Sequence, residues 1–156
     1  MGSLGRCDVA IIPNITLHET LDRLDTSNLP VNVSHAVEET LKQLSGAGTE
    51  QVAVLGSSYT MASPYWTKAL AGKKIDHIAL TQNIGDQVDE FRRKVYAGEE
   101  TAGDVEIFRN TVVETSQFVP IVIACTELSI YAPRKLDAVF DCAIIQIEAA
   151  IERARL

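Results

Sequence analysis

The stretch that most constrains the fold is IVIACTELSI, residues 121–130. Val119 and the run 121–124 lead into Cys125, and the pattern then breaks to Thr126 and Glu127. A short β-branched run without polar alternation reads as a strand buried on both faces, as in a parallel sheet covered by helices. In such sheets ligands bind in the crevice beyond the carboxyl ends of the strands. Cys125 therefore stands at that edge, with a hydroxyl and a carboxylate beside it. If the next segment opens as a helix, its free N–H groups favour the thiolate and lower the cysteine's pKa. A lone cysteine in an apolar run is more often an inert core residue. Its place at the strand's end, with two polar neighbours at once, tips the reading toward chemistry.

The rest of the chain supports a sheet of that kind. Residues 7–13 (CDVAIIP) predict a buried strand ended by Pro13, and 14–24 a helix with Leu17, Leu21 and Leu24 at helical spacing. VNVSH (31–35) predicts a strand and AVEETLKQL (36–44) a helix closed by Gly46 and Gly48. A second series begins with QVAVLG (51–56) as a strand, followed by the hydroxyl-rich turn SSYTMAS (57–63) and a helix to about Leu70. IDHIAL (75–80) reads as the next strand. Helices over 85–97 and 102–117 are split by Gly98 and Gly103. The Cys125 strand follows, then a strand at 136–141 and a final helix through Leu156. Strands alternating with helices, with no hairpin dipeptides, argue a parallel α/β architecture. Arg92-Arg93-Lys94 reads as a solvated helix face without a role.

Bulk properties exclude several classes. The 156 residues make one domain, or one domain plus part of another, and 46% apolar content suffices for a core. A net charge of −7 with scattered basic residues argues against nucleic acid or an anionic membrane surface and fits a small-molecule partner. No apolar run approaches the ~20 residues of a membrane span, and no signal segment is expected at the start. Cys7, Cys125 and Cys142 show no CxxC spacing, so a disulfide framework is not expected and a reduced, cytoplasmic compartment is. His18, His35 and His77 form no HxxxH or HExxH pair, so no metal site is expected.

Three strand ends carry polar groups. PNITLH (13–18) offers Asn14, Thr16 and His18; GSSYT (56–60) offers Ser57, Ser58 and Thr60; CTE (125–127) offers Cys125, Thr126 and Glu127. Hydroxyls and free N–H groups where a strand turns into a helix seat a carboxylate or phosphate. Taken alone each group has a plainer reading, Ser and Thr as helix caps and His18 as a packed or surface histidine. They gain weight together, because parallel topology brings their strand ends to one edge.

The segment IACTEL resembles the second cysteine signature of the aspartate/glutamate racemase family, the cofactor-independent amino-acid racemases. VAVLGSSYTM is similar to that family's strand and Thr-containing loop opening the second domain. CDVAIIPNITLHE is similar to the strand and loop that carry the first cysteine, and VFDCAIIQIEAA to the closing strand and helix. The resemblance covers essentially the whole chain but only the last two-thirds of a family member. It implies two α/β domains facing each other across the active site, here 49–141 as a complete racemase-type domain and 1–48 as a truncated companion. The closing helix, about 142–156, would pack back on the companion. It also implies two acid/base groups on opposite sides of the substrate Cα, since inverting a stereocentre without a cofactor needs an acid on one face and a base on the other. Cys125 matches one of the pair, Thr126 and Thr60 match positions near the substrate's carboxylate and amine, and Glu127 matches the acidic residue after the cysteine.

Two features depart from the pattern. Asn14 stands where the first cysteine should and Ile15 where the next Asn should, while Thr16 and His18 match. Asn cannot titrate, so it can orient a carboxylate but not carry a proton. The family's opening β–α units, with a Gly-rich loop and an arginine for an acidic side chain, have no counterpart, and a homo-oligomer could cover the raw edge so left. The leading expectation is a racemase-like isomerase with Cys125 as acid/base, and His18 or a water held by Asn14 as the partner base. A single-cysteine, decarboxylase-like lyase or isomerase of the same superfamily is the alternative. A catalytically silent binding protein comes next, and a flavodoxin-like phosphate or flavin binder using residues 57–60 is weaker.

Overall fold

The computed structural model describes residues 9–26, 29 and 31–154. The described chain opens with two β–α units: β1 (Val9–Ile11), α1 (Leu17–Leu21), β2 (Asn32–Ser34) and α2 (Ala36–Gly46). β1 and β2 pair in parallel, with Ala10 opposite Val33. The second series runs β3 (Gln51–Leu55), α3 (Ser58–Ala62), α4 (Pro64–Ala71), β4 (Asp76–His77), α5 (Gln82–Ala97) and α6 (Ala102–Ser116). It ends with β5 (Ile121–Ile123), α7 (Thr126–Tyr131), β6 (Val139–Asp141) and α8 (Cys142–Ala154). Its sheet is parallel throughout, in the order β4-β3-β5-β6.

The apolar runs fill the two central strands because both faces of the sheet are covered. Side chains alternate along a strand, so Val52 and Val54 of β3 with Val122 of β5 enter one core, against Leu41 and Leu44 of α2, Trp66 and Leu70 of α4, and Ile145 of α8. Leu55, Ile121 and Ile123 enter the other, with Val88 and Phe91 of α5, Phe108 and Val112 of α6, and Leu128 of α7. Each such side chain contributes about 1.5–3 kcal/mol on burial. Gly98, at φ 69°, ends α5 in the left-handed conformation that glycine adopts without strain. Thr101 and Asp104 close a capping box at the start of α6.

The small sheet is locked to the large one. Ile15, Ala36 and Val37 share a core with Val54 and Val122, and α8 packs on α2, β1, β2 and β6. A polar seam adds direction: Glu19 accepts from Tyr59 Oη (3.1 Å) and Ser63 Oγ (3.4 Å), and Asp22 from Tyr65 Oη (2.7 Å). The loop after β1 is thereby held against the carboxyl edge of the large sheet.

Several expected elements differ in extent. The strand expected over 75–80 pairs only at Asp76–His77, with one further bond from Ile78 N–H to Val52 O (2.9 Å). The expected turn at 57–63 contains a helix, Ser58–Ala62, because Ser57 Oγ caps it by accepting from Thr60 N–H (3.1 Å). Gly46 lies inside α2, whose chain reverses at Gly48 with φ +67°. The helix expected over 14–24 is the single short stretch Leu17–Leu21. The strand start expected at Cys7, and the last two residues of the final helix, fall outside the described residues. No described helix is long and apolar enough to cross a membrane.

Candidate active site

The last ladder bond between the central strands runs from Ala124 N–H to Leu55 O (2.7 Å). Gly56 and Ala124 are thus side by side, the first residues beyond the carboxyl ends of β3 and β5, and Cys125 follows Ala124 at the start of α7. The approach is close: a Cβ on Gly56 would lie 2.9 Å from Thr60 Cβ and 3.3 Å from Ala124 O. Only glycine leaves room for α3 to start here and bring Thr60 over the strand end.

A cavity of about 170 Å³ opens at this edge, lined by Asn14, Ile15 and Thr16, by Ser57 and Thr60, by Arg92, and by residues 124–127. Three chain segments expected to converge do so. Asn14 Oδ1 accepts from Leu17 N–H (3.2 Å), which leaves its amide NH2 as the donor for a ligand. Thr16 precedes α1 without making a side-chain cap, so its hydroxyl is not spent on the helix. Ser57 and Thr60 pair through their hydroxyls (2.9 Å).

Cys125 and Glu127 form the chemical centre. Cys125 Sγ donates to Glu127 Oε2 (2.9 Å), and Thr126 Oγ1 donates to the same oxygen (3.2 Å). Burial first, then the Glu127 hydrogen bond, push the Cys125 thiol up to about 12. Backbone N–H groups of Leu128 and Glu127 pull the other way and are outweighed. This corrects the sequence expectation of a lowered pKa: α7 does begin at Thr126, but its dipole acts against a neighbouring carboxylate and a partly buried sulfur. Burial alone would raise the Glu127 carboxyl. Hydrogen bonds from Cys125, from its own backbone and from Thr126, together with the Arg92 charge, hold it below the usual carboxylate range.

Two expected site residues lie elsewhere. Ser58 is exposed and borders a neighbouring hollow with Met61 and Leu80, while its N–H serves the Asp89 carboxylate. His18 is fully buried behind the loop it follows. Its Nε2 lies 3.1 Å from Ile12 O and 3.3 Å from Gln146 Nε2, its ring meets His35 edge-on at 4.3 Å, and its Nδ1 is buried without a partner among the described residues. Burial, then His35, lower its pKa.

The residue missed by sequence reasoning is Arg92, assigned there to a solvated face. Its side chain is 20% exposed, and its Nε donates to Asp89 Oδ1 (2.7 Å), which fixes the guanidinium beside the cavity. The signal was present: Val88, Phe91, Arg92 and Val95 recur at i, i+3, i+4 and i+7, the spacing of a core-facing stripe.

Fold and site together define a parallel α/β protein whose half-buried thiol, Cys125, lines a cavity at the carboxyl edge of the sheet. No family model matches the chain. Among solved structures, a candidate Asp/Glu racemase from Yersinia pestis is 22% identical, with 96% of this chain and 67% of that chain covered at a TM-score of 0.76. An aspartate racemase homologue from Pyrococcus horikoshii OT3 is 19% identical over 96% and 67%, with a TM-score of 0.75. An aspartate racemase from Picrophilus torridus is 21% identical over 92% and 62%, with a TM-score of 0.69. The chain has the fold of the Asp/Glu racemases, as its sequence resemblance implied, and spans about two-thirds of these chains' length.

Proposed function

We propose that this chain is a racemase-like isomerase that moves a proton at the α-carbon of a small acidic amino acid, without a cofactor, with Cys125 as the acid/base. The observation that carries the reading is the convergence of Cys125, Thr126, Thr60, Ser57, Asn14 and Arg92 on one cavity in this fold. Thr60, Ser57 and Thr126 offer hydroxyls to the α-carboxylate and amine, and Arg92 offers a cation to a second carboxylate. Aspartate is the first substrate to try, since the similar solved proteins are described as aspartate racemases or their homologues.

The absence of a second titrating group across from the thiol favours one further reading. Among the described residues that line the cavity, only Cys125, Glu127 and Arg92 carry titratable side chains, and Asn14 stands where a second cysteine would act. A single-cysteine lyase or isomerase, in which the carbanion forms by another route and the thiol delivers one proton, fits that arrangement.

The test is deuterium incorporation at Cα in heavy water, measured separately for each enantiomer of aspartate. Losing one acid/base group lowers a rate about 10²–10⁴-fold, so exchange in the wild type is slow and differs between enantiomers. Asn14→Cys raises it and Cys125→Ala abolishes it. Exchange that survives Cys125→Ala undiminished rejects the mechanism. A folded Asn14→Cys that exchanges neither enantiomer turns the reading toward the single-cysteine lyase.

A further inference from the structure

We infer that Glu127 is a positioning residue: it holds Cys125 in the thiol form, so that the cysteine meets its substrate as a proton donor rather than as a base. This rests on the reading of Cys125 as the group that moves the proton, and it assigns Glu127 a different task from holding a ligand.

The geometry carries the argument. A carboxylate oxygen has two lone pairs, and Glu127 Oε2 is engaged by Cys125 Sγ at 2.9 Å and by Thr126 Oγ1 at 3.2 Å. That oxygen has nothing left for a substrate amine. A thiolate in place of the thiol would set two negative charges at that distance in a half-buried site, and like charges so close oppose ionisation. Arg92 of α5, the cation that lines the cavity among the described residues, has its Nε bound to Asp89, and its charge favours the ionised Glu127 that holds the thiol proton. The loop after β1 brings Asn14, Ile15 and Thr16, and the end of β3 brings Ser57 and Thr60, none of them charged. The thiol proton is therefore held in place, aimed by a charged acceptor, until a carbanion competes for it.

In that step the carbanion's electron pair takes the proton and forms the C–H bond. The S–H bond breaks with its pair left on sulfur. The thiolate, now facing a carboxylate, regains a proton from water and the site is reset. The resting site is thus loaded for delivery on the Cys125 side, and abstraction from that side begins from a disfavoured thiolate.

The experiment is the pH profile of iodoacetamide alkylation, with the Cys125 and Cys142 peptides separated by mass spectrometry, for wild type, Glu127→Gln and Glu127→Ala. Wild-type Cys125 should label slowly at neutral pH, with its midpoint well into the alkaline range. Removing the charge should move that midpoint down by about one pH unit or more, so labelling at pH 8 rises about tenfold. Glu127→Gln keeps the side chain's size, so it stands if Glu127→Ala fails to fold. Profiles that coincide with wild type in the folded variants overturn the inference. So does a rise in Cys142 labelling in step with Cys125, because Cys142 is fully buried and labels only when the fold opens. The profile is read without substrate: a shifted profile in a protein with no Cα exchange retires the racemase reading alone, and exchange with an unshifted profile retires this inference alone.

Discussion

Arg92 stands four residues after Val88 and one after Phe91, where a side chain would ordinarily enter the core. Its stem follows the apolar stripe while its head reaches the cavity edge, as long cationic side chains do. The Asp89 carboxylate, which burial alone would raise, is held below its usual range by Arg92, the Ser58 N–H and Arg93. A guanidinium already oriented by one carboxylate can take a second through its remaining donors. Arg92→Ala should therefore weaken aspartate binding about 10- to 100-fold, the equivalent of a hydrogen bond to a charged group, with Arg92→Lys intermediate. The measurement is the aspartate concentration that protects Cys125 from alkylation; equal protection in Arg92→Ala would remove the arginine from the site. Cys125 itself was legible, because an apolar strand that breaks to polar residues marks a carboxyl edge. The state of its proton was not. It depends on the Glu127 side chain turning back onto the sulfur two residues before it, a rotamer choice that no sequence spacing reveals.

At the level of elements, the β3–α3 junction does most to shape the cavity. Gly56 has no left-handed backbone to require glycine; what requires it is space, since an added Cβ would meet Thr60 at 2.9 Å and the Ala124 carbonyl at 3.3 Å. Gly56→Ala must push α3 away from β5 or force Thr60 off its rotamer, and overpacking of this kind costs about 1–3 kcal/mol. The denaturant midpoint should fall accordingly with an unchanged slope, and an unaltered midpoint would show that the junction yields freely. The central strands were readable because covering both faces of a sheet demands unbroken apolar runs. Peripheral β4 was not: Asp76 and His77 pair and Ile78 adds one bond, but Ala79 and Leu80 leave the ladder, and Leu80 packs against the second core instead. Burial drives both outcomes, so hydrophobicity alone cannot tell a strand from a packed loop. The small helix Ser58–Ala62 was hidden for a related reason, since Ser and Thr serve turns and caps alike.

Over the whole molecule, the two sheets meet around a buried polar cluster centred on His18. Gln146 of α8 donates to Ser34 O at the end of β2 (2.7 Å), and His18 reaches Ile12 O at the end of β1 (3.1 Å). His35 accepts from Glu38 N–H through Nδ1 (3.2 Å) and holds Nε2 3.1 Å from Asp22 Oδ1. The sequence placed His18 near the site by its loop, yet its ring points to the core, where it joins the layers. Burial and the neighbouring His35 hold His18 below its ordinary 6.5, against weaker opposing pulls from the Ile12 carbonyl, Asp22 and Glu38. The sign follows from proton counting. As pH falls through 6.5 the unfolded chain takes up a proton at this position while the folded chain does not, so the unfolded state is favoured. Stability is full above that value and declines below it, until the folded-state pKa is reached and the loss levels off. The slope is at most one proton's worth, about 1.4 kcal/mol per pH unit. His77, lowered by burial, adds in the same direction, whereas Asp104, with a pKa of about 2, acts only far below this window. Thermal midpoints between pH 8 and pH 5 should therefore fall on the acid side in the wild type. His18→Gln, which keeps a donor near Ile12 O but cannot titrate, should fall less steeply, with the remainder due to His77. Parallel curves for the two proteins would show that His18 takes its proton as readily inside the fold as outside it, and that the junction between the sheets is open to water.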